Sequence, residues 1–100
     1  MEIEYSDALL AYMKKRKKNH VVIDVATSDT SDFEVAEIFL RLASDKELPY
    51  LKEKKRFRSA VTEVGEVLLP PYRLHVGARI RLDVKNWILF HNITVEGIEL

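Results

Sequence analysis

Apolar and polar residues alternate over the first positions of the chain, with Ile3 and Tyr5 set against Glu2 and Glu4. A period of two predicts a short opening strand. The period then lengthens: Leu9, Leu10 and Met13 recur at helical spacing, and Ala8 and Tyr12 widen their stripe. Ser6 is placed to cap this helix, because its hydroxyl accepts a free amide N–H of the first turn. Asp7 adds negative charge where the helix dipole favours it. Lys14–Lys18 falls in the last turns, where cations suit the dipole, and Asn19 is the expected C′ residue.

His20–Thr27 is the clearest strand, with Val21, Ile23 and Val25 on one face. Thr27–Asp32 reads as a polar loop of residues that bond their own backbone. Phe33–Ser44 reads two ways. Ser31 followed by Glu34 is a capping-box pattern and the composition favours helix. Ala36, Ile38, Leu40 and Leu42 equally share one face of a strand, and local reading puts helix slightly ahead.

Asp45–Lys55 reads as a charged connection interrupted by Pro49. Phe57–Val61 is a candidate strand, and Val61–Leu69 resembles a hairpin turning near Glu63–Glu66. Pro70-Pro71 ends it, since neither residue donates to a ladder. Gly77 marks another expected turn. Ile80, Leu82 and Val84 then alternate with Arg79, Arg81 and Asp83. Trp87–Phe90 is apolar throughout and is expected to be the most buried piece. Ile93 and Val95 predict a last strand, broken at Gly97. The pattern as a whole predicts an α+β fold: one helix packed on a mainly antiparallel or mixed β-sheet.

Composition narrows the chemistry. One hundred residues with 47% hydrophobic positions read as a single domain, Met1–Leu100. No cysteine occurs, which removes disulfides, thiolate catalysis and Cys-ligated zinc or iron–sulfur chemistry from this sequence. Sixteen basic and sixteen acidic residues cancel, which argues against a dedicated DNA binder. The apolar runs are too short to span a bilayer, and Met-Glu-Ile-Glu is not the start of a signal peptide. A cytosolic protein without membrane contact is expected.

Three sets of residues carry candidate chemistry. His20, His75 and His91 are far apart, show no metal spacing, and are read as surface or strand-end histidines. Asp24, Asp29, Asp32 and Glu34 lack the spacing of a calcium loop and are read as loop caps. Two basic clusters hold most of the positive charge: Lys14, Lys15, Arg16, Lys17 and Lys18, then Lys52, Lys54, Lys55, Arg56 and Arg58. Brought together, they would dock an anion or nucleic acid; read singly, they are solvated helix ends and loops. Ser6, Ser28, Ser31, Ser44 and Ser59 have no nucleophile-elbow context, and no phosphate-binding glycine loop occurs. Asn92-Ile93-Thr94 spells a glycosylation sequon inside an expected strand and is discounted.

The succession Ile3-Glu4-Tyr5-Ser6-Asp7-Ala8-Leu9, Val21-Val22-Ile23-Asp24-Val25, Gly65-Glu66-Val67-Leu68-Leu69-Pro70, Ile80-Arg81-Leu82-Asp83-Val84 and Ile93-Thr94-Val95-Glu96-Gly97-Ile98 resembles the HesB-like, A-type iron–sulfur carrier family. It is also similar to small bacterial relatives with a paired-cysteine or selenocysteine motif. The resemblance places the family's first cysteine in Thr27–Asp32, where this chain has Ser28 and Ser31 and no thiol. It places a Cys-Gly-Cys pair after the last strand, and the sequence reads to Leu100 without one. No ligand position carries over, so the resemblance implies a degenerate member that kept the scaffold without the metal site. It also implies that Phe33–Ser44 is a strand, and that reading is adopted.

The expected function is a non-enzymatic module, without cofactor, that binds another protein or itself. The alternative is an anion- or nucleic-acid-binding module using Lys14, Lys15, Arg16, Lys17, Lys18, Lys54, Lys55, Arg56 and Arg58. Nucleic acid is the less expected partner, given the zero net charge.

Overall fold

The structure, a computed structural model, describes residues 2–29, 34–86 and 91–100. Strand β1 (Glu2–Tyr5) leads through Ser6 into helix α1 (Asp7–Arg16). Strands β2 (His20–Asp29) and β3 (Glu34–Ala43) follow. A 3₁₀ turn, Asp45–Glu47, and a π-helical turn, Tyr50–Lys54, precede β4 (Arg58–Val61), β5 (Glu66–Leu69), β6 (His75–Asn86) and β7 (His91–Glu99).

These strands form two sheets, ordered β3-β2-β5-β4 and β1-β6-β7. The expected single sheet is therefore corrected to two, while the mixed character holds. The β2/β3, β4/β5 and β6/β7 pairs are antiparallel, and β1/β6 and β2/β5 are parallel. Alternation along a strand shows which face is apolar, but not which strand lies beside it.

The sheets and α1 enclose the main core. Val21 and Ile23 of β2, with Val67 and Leu69 of β5, meet Ile80, Leu82 and Val84 of β6. Leu9 and Met13 of α1 fill the same core. Val25 stays half-buried. The opposite face of the four-stranded sheet carries a second cluster, in which Val22, Ala43 and Leu68 are covered by Leu51 and Phe57. The charged connection Asp45–Lys55 is thus corrected to an ordered segment whose short helical turns bury Leu51 at 4% exposure. Leu51 and the half-buried Leu48 anchor it, and a charge-rich composition hides them.

The described part of Phe33–Ser44 is strand. Ten residues of β3 pair with β2, from Asp29 opposite Glu34 to His20 opposite Ala43. Helix propensity is a weak prior, and a full ladder on a neighbouring strand overrides it.

Ser6 caps α1 as expected: its hydroxyl oxygen accepts the Leu9 N–H at 3.1 Å. The other end is corrected by two residues. Lys17, not Asn19, turns into the left-handed region at φ 56. Its N–H donates to the Lys14 carbonyl and the Lys18 N–H to the Met13 carbonyl, both at 3.2 Å, which is a Schellman closure.

Gly77 is corrected from a turn to an irregular stretch inside β6, where pairing with β7 shifts between Val76 and Arg81. Gly97 does not break β7, which runs on to Glu99. It sits at φ 96, and a Cβ there would lie 2.2 Å from the Arg79 carbonyl oxygen. Only glycine lets the two backbones approach so closely. The expectation for Trp87–Phe90 falls outside the described residues.

Candidate anion-binding cleft

Where α1 ends against β3 and β7, an open cleft of about 340 Å³ forms. Arg16 comes from the last turn of α1, Lys18 from just beyond its Schellman closure, and Arg41 from β3. Leu40 and Leu42 form part of the floor, and Asn92 of β7 adds an amide. The opposite wall is aromatic: Tyr12 stacks on His91 with ring centroids 4.5 Å apart and planes inclined by 21°. Among the described residues, those lining the cleft include no Asp or Glu.

Arg41 donates to the carboxylate of Glu47, which is not among the described residues lining the cleft, at 3.1 Å. Glu47 also accepts the Ser44 N–H at 2.9 Å. That backbone bond is the largest influence holding the Glu47 carboxyl below the usual carboxylate range; burial opposes it, and the Arg41 guanidinium and then the Lys18 charge add to it. Glu47 therefore stays ionised and offsets part of the Arg41 charge. Among the described residues, Arg16 and Lys18 lie beyond ion-pair distance of any carboxylate. Their attraction is open to a ligand, which would supply a charge-assisted hydrogen bond on docking.

The structure divides the basic residues of the sequence. A helix turns its side chains around its axis, so Lys14–Lys18 spreads in several directions. Arg16 and Lys18 line the cleft, Lys15 faces a neighbouring one, and Lys14 and Lys17 border a groove beside Met13 and Val64. Lys54, Lys55, Arg56 and Arg58 flank Leu51 and Phe57, which pack on the far face of the four-stranded sheet. The two clusters are thus anchored on opposite sides of that sheet. Lys52 is engaged in an ion pair with Glu66 at 2.5 Å.

His20 departs from the surface reading: it is 4% exposed at the head of β2. Its Nδ1 accepts the Glu66 N–H at 3.0 Å. The ring proton must then reside on Nε2, which donates to the Asp45 carboxylate at 2.5 Å. With both nitrogens engaged, the ring ties β2 to β5 and to the 3₁₀ turn and offers no open nitrogen to a substrate. His75 is exposed at the start of β6. Asp24 bonds the Val25 N–H at 2.8 Å, a local backbone contact. Asp32 and the side chains of Asp29 and Glu34 fall outside the described residues. Among the described residues, no group of three His, Asp or Glu side chains is placed to hold a metal ion.

Sequence reasoning missed Tyr12, Arg41, His91 and Asn92 as parts of one site. His91 was visible as one of three scattered histidines and Asn92 as part of a discounted sequon, while Tyr12 and Arg41 carried no site signal; packing alone brings the four together. No family model, curated protein or solved structure matches the chain.

Proposed function

We propose that this protein is a non-catalytic binding module that holds an anionic group, a phosphate or carboxylate, in the cleft between α1, β3 and β7. The observation that carries the reading is the convergence of Arg16, Lys18 and Arg41 on a concavity with no carboxylate among its described lining residues. Its lining cations and the Asn92 amide hold charge, and the buried His20 has no nitrogen to spare for acid–base work. We read the scaffold as HesB-like without iron–sulfur ligands. Its support is that the segments carrying the resemblance fall on β1 with α1, on β2, on β5, on β6 and on β7. Self-association is the competing reading, favoured by Phe39 and Val61, which are 42% and 81% exposed on the two edge strands of the larger sheet.

The test is an NMR titration of isotope-labelled protein with tripolyphosphate. Shifts are expected at the end of α1, on β3 around Arg41 and at the start of β7, and Arg16→Glu should remove them. Shifts spread evenly over Lys14–Lys18 and Lys54–Arg58 would show loose attraction to exposed charge and overturn the proposal. Concentration-dependent shifts along β3 or β4 without ligand would favour self-association instead.

A further inference from the structure

The Tyr12–His91 stack is the partition between two clefts. On one side is the cationic cleft of about 340 Å³; on the other lies a second of about 280 Å³, and the two aromatic residues line both. The second cleft runs beside the preceding turns of α1, where Ala8 and Ala11 leave room, and Lys15 and Asn86 border it. Among the described residues, those lining it likewise include no Asp or Glu. The two clefts therefore adjoin at the aromatic pair and together make a groove beside α1. Lys15 lines one cleft, Arg16, Lys18 and Arg41 line the other, and the aromatic pair is common to both.

We propose that this groove holds a short single-stranded nucleic acid, which rests on the anion-binding reading of the first cleft. A lone phosphate uses only the Arg16 cleft. A ligand that uses both clefts must carry repeated negative charge, and one that also uses the aromatic pair must present flat rings. A single strand does both: its phosphates follow the cations while a base stacks on an aromatic side chain. His91 is exposed while packing on the half-buried Tyr12, so the pair is braced by the core and still reachable from solvent. An acidic peptide would use the cations and leave the aromatic pair idle. A duplex, with its bases paired and stacked, would likewise leave it idle. The zero net charge is consistent with a short local footprint rather than a broad electrostatic one.

The experiment is fluorescence anisotropy with a labelled oligothymidylate of about ten nucleotides, within the range one small domain covers. Tripolyphosphate serves as the anion without bases, and circular dichroism confirms that each variant is folded. Oligothymidylate should bind more tightly than tripolyphosphate and more tightly than a duplex of equal length. His91→Ala should weaken the oligonucleotide about 5- to 150-fold, the range for losing one stacked base, and by more than it weakens tripolyphosphate, whose cleft His91 also lines. Lys15→Glu, outside the first cleft, should weaken the oligonucleotide and leave tripolyphosphate unchanged, whereas Arg16→Glu should weaken both ligands. If His91→Ala and Lys15→Glu leave the oligonucleotide unaffected while Arg16→Glu abolishes it, the strand is merely a polyanion at the first cleft. That result overturns this proposal and leaves anion binding standing. Equal affinity for duplex also overturns it, and failure of wild-type protein to bind either ligand overturns both readings.

Discussion

Replacing His20 with Ala tests the physical reasoning at its most buried polar point. The imidazole is 4% exposed and accepts the Glu66 N–H at 3.0 Å. Without it, that N–H loses its partner at the head of β5, a cost of about 1–3 kcal/mol. Loss of the ring's packing adds about 1 kcal/mol, well below a full aromatic truncation because the ring sits at a strand end. The bond to Asp45 adds little, since that carboxylate is 83% exposed and water takes over its solvation. The expected total is about 3 kcal/mol, which for a domain of this size lowers Tm by about 12–24 °C. Asp45→Asn should cost less than about 1 kcal/mol. Urea unfolding followed by circular dichroism measures both, and nitrogen chemical shifts of His20 at neutral pH should show the proton on Nε2. A His20→Ala cost below about 1 kcal/mol, or an Asp45→Asn cost equal to it, would refute the assignment of the inner bond as the stabilising one.

Two further outcomes follow from the same structure. Gly97→Ala should destabilise by more than about 1 kcal/mol and disturb amide shifts at Arg79 and Ile80, because its methyl would meet the Arg79 carbonyl at 2.2 Å and φ is 96. A neutral Gly97→Ala would mean the bulge relaxes freely. Stability should also fall on acidification. Lys52 holds the Glu66 carboxyl below its usual range, the Ser6 hydroxyl does so for Asp83, and the Ser44 N–H does so for Glu47. The folded state then binds fewer protons than the unfolded chain, so this stabilisation is complete above the ordinary carboxylate range and is lost as pH falls through the lowered values. Urea midpoints that stay flat from about pH 6 to about pH 3 would contradict it.

Much of the local structure was legible in the sequence because it depends on near neighbours. The Ser6 cap, the α1 stripe of Leu9 and Met13, and the alternation of Ile80, Leu82 and Val84 all follow from spacing of a few residues. The strand over Glu34–Ala43 marks the limit of that logic. Its local pattern fits helix as well as strand, and the ladder with β2 decides. Pairing of β1 with β6 joins Glu2 to Arg79, and no local period encodes a partner so distant. Helix ends show the same division: basic residues near the end of α1 are legible, but Lys17 rather than Asn19 takes the left-handed turn.

The candidate site divides along the same line. Arg16 and Lys18 were visible as charge in a basic run, and the absence of cysteine removed thiolate chemistry on covalent grounds alone. Tertiary structure split that run around the helix and set the second basic cluster on the far side of a sheet. It also brought Arg41 from β3 and His91 from β7 to Tyr12 on α1. Side-chain chemistry is a property of each residue and can be read singly. A cleft is a property of distances between residues remote in sequence, and those distances exist only once the sheets have packed.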